Sequence, residues 1–571
     1  MSLFGSLQTA GNTLQAMQIG LQVVGNNIAN ANTEGFIRES VNYAPAPVQR
    51  IGGLNIGLGV RVDSISQEID DYLTNQLRDA SADRASADLQ NEAYKDLEQI
   101  LGELTSNDLS TGLTEFFGAI EDTLNATSGD AYSVRNLAVL EGANLATEIR
   151  RLEERAKQLR DGYDEEIVNA VSDINRLAEE VQRFNIRITQ VEAGSVGSSD
   201  AGSLRTQRNN AVNELADLID ATVVEQPSGG LSISVGGEFL VFEGQRREVA
   251  LQSSDSSGEA ESALVFTDTN KQLDLASGRL HGLQVARDDI VDGFRDQLDG
   301  FSRNLIFEFN KVYSQGQGLV GFESLTSVNG VDDVNAGLDT AGLPFTPKNG
   351  SFLIATTNTN TGDTETTRIE VDLLGDGNEA KTTLTGLAAQ INAVTGLSSS
   401  VDVSGRLQIS ATTDDTRFSF AEDTSDILAA IGLNTFFTGG GAADITVNTE
   451  LDGIANAGKF AASLDGVGGT TRNAVRLAAL VDEPLDALNG ASLYDQYDQI
   501  VNNVAQNSTV AGSIADGLGA FETTLESEFQ AVSGVNVDEE AIEMIALQRI
   551  YQATARYISV IQEMLDTLVR I

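Results

Sequence analysis

The chain has 571 residues, too many for one hydrophobic core, and three or four domains are expected. Its 84 Asp and Glu against 36 Lys and Arg leave a formal net charge of −48, which excludes nucleic acid and an anionic membrane surface as partners. Cysteine and tryptophan are absent and His281 is the single histidine, so disulfides, thiol chemistry and a histidine-rich zinc site are excluded, and His281 reads as a solvated or capping residue.

The first Lys or Arg is Arg38, and polar residues interrupt the apolar ones before it. Neither a cleaved secretory signal nor a membrane anchor is expected there. Leu3, Leu7, Ala10, Leu14, Met17, Leu21, Val24 and Ile28 alternate steps of four and three, the spacing of a coiled-coil seam. In VVGNNIANANTEGF, Asn26, Asn27, Asn30 and Gly35 are expected to stop this helix, because amides bond nearby backbone and Gly tolerates a left-handed cap. Residues 41–65, with two prolines and several glycines, read as an extended connector.

Helices are expected from about Gln67 to Asp220. The longest carries a seam at Leu145, Ile149, Leu152, Ala156, Leu159, Tyr163, Ile167, Ala170, Ile174, Leu177, Val181, Phe184, Ile188 and Val191. At about 1.5 Å per residue it is roughly 70 Å long. GSVGSSDAG breaks the pattern as a loop, and a short helix follows near Leu204–Ile219. Strand patterns fill 221–275. A helix from Gly278 to Tyr313 presents Ile290, Phe294, Leu298, Phe301, Leu305, Phe309 and Val312 on one face. A second β-rich block occupies 316–470, with one short helix in TLTGLAAQINAVTG. Helical pattern returns at Asn473, where Ile500, Val504, Ile514, Leu518, Phe521, Leu525 and Phe529 are expected on one face. The last helix mirrors the first: Leu547, Ile550, Thr554, Tyr557, Ile561, Met564, Leu568 and Ile571 again alternate steps of three and four, with Tyr551, Ile558 and Leu565 widening the stripe.

These segments imply an α+β multidomain protein. Residues 1–40 and 535–571 form a terminal α-helical coiled coil, 41–65 a connector, and 66–220, 276–315 and 471–534 an elongated α-helical bundle body. Residues 221–275 form a small β-rich insertion and 316–470 an outer β-rich domain. A terminal helix pair projecting alone buries too little to offset the entropy of ordering it, so both ends are expected to be disordered in a monomer and to order when copies pack together.

NNIANANTEGF (26–36) resembles the N-terminal signature of the bacterial flagellar axial proteins of rod and hook, and QRIYQATARYISVIQEMLDTLVRI (548–571) resembles their C-terminal signature. GFIRES, LRTQRNNAVNELADLI, SGRLHGLQVARDDIVDGFRDQLDGFSRNLIFEFNKVYSQG, IGLNTFFTGGGAADITVN, NAVRLAAL and SGVNVDEE are similar to segments of the hook-associated branch that joins hook to filament. Gly25, where Ser or Ala is expected, and the longer loop 194–202 depart from that pattern.

The resemblance implies a structural protein, neither enzyme nor cofactor carrier. Its partners are copies of itself in a ring or helical assembly, the hook protein on one side, and a second junction protein and the filament on the other. It implies export unfolded by the flagellar type III apparatus, with a cytoplasmic chaperone on the C-terminal region, to an extracellular place in the flagellum, and no nucleic-acid or membrane partner. The subunit interface it implies comprises Leu3, Leu7, Leu14, Met17, Leu21, Val24, Asn26, Asn27, Ile28, Asn30, Gly35, Phe36, Leu547, Ile550, Tyr551, Tyr557, Ile561, Met564, Leu565 and Leu568. The asparagine amides serve there as local caps, and the question of added contacts to neighbouring subunits stays open. The alternatives are a hook protein, whose middle is mostly β, and an axial protein with an inserted hydrolase, for which no nucleophile elbow, zinc motif or P-loop is present. DLLGDGNE (372–379) lacks EF-hand spacing and reads as a solvated turn.

Overall fold

The computed structural model describes residues 3–33, 35–51, 54–102, 108–125, 129–193, 201–254, 261–374 and 381–570. The seam residue Ile571, most of the loop 194–202 and most of the DLLGDGNE turn lie outside the described residues. Helices dominate, with several small sheets, an α+β fold.

Helix α1 (Leu3–Asn30) carries no charge and runs through Asn26, Asn27 and Asn30 rather than stopping at the first amides. Their side chains do not all cap: Asn30 bonds back to the Asn26 carbonyl at 2.9 Å, while Asn27 is buried and reaches distant chain. Gly35, at φ +67, turns the chain out of the helix, as the sequence predicts. The connector is two nested antiparallel pairs, β1 (Glu39–Pro45) with β4 (Val60–Gln67) and β2 (Val48–Ile51) with β3 (Leu54–Gly57), with a bulge at Asn42/Tyr43.

Asp70 and Asp108 accept from first-turn amides of α2 (Asp71–Leu101) and α3 (Leu109–Asp122). Helix α4 (Ala131–Ala193) has 63 residues, longer than its seam alone indicates. Twelve of its fourteen expected seam residues are buried, from Leu145 to Ile188; Leu159 is half-buried and Val191 exposed. Near Leu159 the neighbouring Arg160 turns inward instead and pairs with Asp292 at 2.9 Å. Then follow α5 (Gly202–Leu218), a sheet of β5 (Thr222–Glu225), β6 (Leu231–Val235), β7 (Glu238–Phe242) and β8 (Gln245–Arg246), and the pair β9 (Val249–Ser254) and β10 (Glu261–Phe266). The expected helix at 278–313 is α6 (Arg279–Val285), a π-helical turn at Ala286–Val291, and α7 (Asp292–Tyr313).

The second β block holds β11 (Ser324–Thr326), β12 (Gly350–Asn358), β13 (Thr364–Val371), α8 (Leu384–Asn392), β14 (Leu397–Val401), β15 (Leu407–Ala411), β16 (Thr416–Ala421), α9 (Ile427–Ile431), β17 (Phe437–Thr438) and β18 (Thr446–Val447). Two sheets, β13-β12-β16 and β11-β15-β14, close with α8 and α9 over a core running from Phe322 to Leu433. Helices α10 (Arg472–Ala479), α11 (Leu493–Ser533) and α12 (Val537–Val569) complete the chain. On α11 the buried face carries Ile500, Val504, Ala511, Ala515 and Leu525. Ile514 and Phe521, expected on it, are exposed, because the small Ala511 and Ala515 occupy the packed positions.

The chain divides into two compact units, one of Met1–Glu92, Gly162–Arg287 and Thr509–Ile571, the other of Ala93–Asp161 and Asp288–Ser508. In the first, Leu73, Ala80 and Leu525 form one small core and the terminal helices another. In the second, Phe116, Phe309, Tyr313, Phe436, Phe437 and Phe460 form an aromatic cluster with ring centroids 4.8–6.0 Å apart. Three of those rings come from within 316–470 and pack on the helices. Among the described residues no helix is long and apolar enough to cross a membrane, and no group of three acidic or His side chains is placed to hold a metal.

Candidate subunit interface

Helix α1 packs on α12. Asn27 bonds Glu540, and Gly20 lies against Leu547. Seven residues back on one helix match seven forward on the other, so the two run antiparallel. Their core is Ala16, Met17, Val24 and Leu547, with Leu21, Ile28, Met544, Tyr551 and the β4 residues Val60 and Val62 packed around it.

The packed stripe of α1 differs from the one the leucines outline. Its buried residues are Ser6, Ala10, Ala16, Met17, Gly20, Val23, Val24 and Asn27. Small side chains sit at the centre of contact because they let the helix axes approach. At Gly20 an added Cβ meets the Leu547 Cδ1 at 3.1 Å and overlaps the Tyr43 hydroxyl. Burial, then the Glu543 charge, raise the Tyr43 pKa and keep that hydroxyl protonated.

Of the expected interface residues, Met17, Val24, Asn27, Leu547 and Ile561 are buried within the chain itself. Leu21, Ile28 and Tyr551 flank the terminal core. Leu3, Leu7, Leu14, Asn30, Phe36 and Leu565 are half-buried, and Asn26, Gly35, Ile550, Tyr557, Met564 and Leu568 are exposed.

Helix α12 therefore carries two apolar stripes. One, through Met544, Leu547, Tyr551, Ile558, Ile561 and Leu565, is buried or half-buried. The other, through Ala546, Ile550, Ala553, Tyr557, Val560, Met564 and Leu568, is exposed; its larger side chains are 45–59% exposed. Apolar side chains thus lie exposed along one continuous face of the helix.

At the inner end of the pair a polar node joins four segments. Asn27 donates through Nδ2 to the Glu39 carbonyl at 2.9 Å and to Glu540 Oε2 at 3.0 Å, and its Oδ1 accepts from the Glu39 amide at 3.1 Å. Arg38 Nε donates to Glu540 Oε1 at 2.7 Å, and the Arg38 amide donates to the Ser533 carbonyl at the end of α11 at 3.0 Å. Asn536 caps α12 through the Asp538 amide, so the Glu540 carboxylate lies near the positive end of the helix dipole. Sequence reading missed Arg38 and Glu540, which stand 502 positions apart.

Three family models match. "Flagellar hook-associated protein FlgK helical domain" covers residues 94–325, "Flagellar basal body rod FlgEFG protein C-terminal" 526–571, and "Flagella basal body rod protein" 7–36. Flagellar hook-associated protein 1 of Escherichia coli K12 is 23% identical over 582 residues, 99% of each chain. The protein of that name from Bacillus subtilis 168 is 24% identical over 580 residues, covering 100% of this chain and 98% of the relative.

The chain is similar to flagellar hook-associated protein 1 along nearly its whole length.

A solved structure described as the flagellar hook junction protein FlgK from Burkholderia pseudomallei is similar in fold, with TM-score 0.53 and 15% identity over 80% of this chain and all of that one. The chain has a structural role in the flagellum. Two of the three family matches fall on α1 and α12, the helices that form the pair.

Proposed function

We propose that the chain polymerises at the distal end of the hook and joins hook to filament, with the α1–α12 pairs of many copies packed as the inner wall of a tube. The observation that carries this reading is the second stripe of α12, apolar and exposed. A helix whose neighbouring face already packs on α1 gains by covering that stripe with another copy, at about 25 cal/mol per Å² of apolar surface removed from water.

In this reading the hook protein lies on one side and a second junction protein and the filament on the other. The chain leaves the cell unfolded through the flagellar type III apparatus, escorted by a chaperone on its C-terminal region, and acts outside the cell with no catalysis of its own. The absence of cysteine leaves no disulfide to form during such a passage. The test is electron microscopy of purified hooks mixed with the purified chain. Decoration of hook tips by the full chain, and none by a chain lacking 548–571, is expected; equal decoration by both contradicts the proposal.

A further inference from the structure

Among the described residues, five helix amides besides Asn27 clamp a strand residue by bonding both its N–H and its C=O. Asn175 holds Val249, Asn185 holds Leu231, Asn310 holds Phe437, Gln390 holds Glu370 and Asn392 holds Ser399. Asn27 holds Glu39 in the same way and also donates to a third segment, as Asn185 does to the Glu243 carbonyl; for Asn27 that acceptor is a charged group, the Glu540 carboxylate of α12. Glu540 is 1% exposed, and both its oxygens are taken, one by Asn27 and one by Arg38.

Glu540 heads the inner stripe of α12: Glu540, Met544, Leu547, Tyr551, Thr554, Ile558, Ile561, Leu565. The outer stripe runs one residue earlier, from Ala546 to Leu568, and so lies about 100° around the helix. Either stripe matches the small-residue face of α1 in spacing and apolarity. Apolar burial is non-directional and does not choose between them. A helix rotated to present the outer stripe carries Glu540 away from Asn27 and Arg38, and leaves a buried amide N–H without its acceptor. A slip by one heptad, about 10 Å, does the same.

We infer that the Asn27–Arg38–Glu540 node selects the facing and register of α12 on α1, and thereby which apolar stripe is left outward for a neighbouring copy. A single polar group in an apolar seam does this elsewhere by making every other register leave it unpaired. The last clause rests on the proposed assembly; the selection itself is a property of one chain.

The chain has no cysteine, so engineered pairs report the facing without background. Ala16 and Tyr551 belong to the terminal core, whereas Ile550 lies on the outer stripe. In the free full-length chain, Ala16→Cys with Tyr551→Cys is expected to cross-link far more than Ala16→Cys with Ile550→Cys. In an Asn27→Leu, Glu540→Leu background that ratio is expected to fall by about tenfold, the discrimination that charge-assisted hydrogen bonds sustain, with helical content by circular dichroism unchanged. Glu540→Gln, which keeps an acceptor for Asn27 and Arg38, is expected to retain most of the selectivity. An unchanged ratio in the double-leucine chain overturns the inference. So does loss of both cross-links together with helical signal, since the node then holds the helices without selecting between faces. Hook-tip decoration by the double-leucine chain is a separate arm: normal decoration despite lost selectivity leaves the node standing and removes the outer-stripe reading.

Discussion

Val560 and Ile561 are adjacent on α12 but face opposite fates, and an aspartate at each separates folding from assembly. Val560 is 52% exposed on the outer stripe, and Ile561 is 2% exposed on the inner one. Val560→Asp places a carboxylate in water, so the free chain should change stability by no more than about 0.5 kcal/mol. In the proposed contact between copies the same carboxylate would be buried in a stripe that itself holds no Lys or Arg. Burying an unpaired charge costs several kcal/mol, and about 1 kcal/mol of valine burial is lost as well. At roughly 4 kcal/mol per contact, association weakens about a thousandfold. Ile561→Asp instead loses about 3–5 kcal/mol inside the chain, enough to separate α12 from α1. The assays are limited proteolysis of the free chain, then filament attachment by electron microscopy in a strain lacking its own junction protein. Val560→Asp should keep wild-type proteolysis and lose attached filaments. Ile561→Asp should lose attachment and also expose α12 to protease. A Val560→Asp chain that attaches filaments normally refutes the reasoning.

Gly20→Val should weaken the terminal pair by about 1–3 kcal/mol, because the added carbon meets Leu547 and the Tyr43 hydroxyl, and faster amide exchange across residues 10–28 checks it. Replacing residues 320–431 by a Gly/Ser linker should leave secretion and junction formation intact, since that segment closes its own core and the Asn434 amide, donating to the Ser314 and Gly316 carbonyls, holds the ends close. Extending the excision to 468 removes Phe436, Phe437 and Phe460 from the aromatic cluster, at about 3–5 kcal/mol each, and should unfold that unit in a thermal melt. Hydrogen bonds from Lys271 and Arg247 depress the Glu238 pKa, and the one from Arg247 depresses that of Asp268. Depressed folded values mean stability that is complete above the unfolded values near 4 and lost as pH falls through the folded ones, so amide exchange at residues 238–268 should rise only in that acid window.

Heptad spacing alone revealed both terminal helices and most of the buried face of α4, because a long helix repeats its contacts locally. The rotation of the α1 stripe was not legible. Apolarity weights Leu7, Leu14 and Leu21 above Ser6, Ala16 and Gly20, whereas close approach of two helices favours the small ones. The same bias put Ile514 and Phe521 on the wrong face of α11. The partners of Asn27 were hidden for another reason: the amide cluster looks like a helix stop, and the carboxylate it binds is 513 residues away. The paired stripes of α12 were legible as one broadened stripe. Only the placement of α1 shows which half is already covered.

The central claim is that the outer stripe of α12 is covered by neighbouring copies in the assembled junction. In a chain without native cysteine, the direct measurement is maleimide labelling of Val560→Cys and Ile561→Cys, free and on decorated hooks. Val560→Cys should label rapidly in the free chain and be protected on the hook, while Ile561→Cys stays slow in both. Equal labelling of Val560→Cys before and after decoration contradicts the claim.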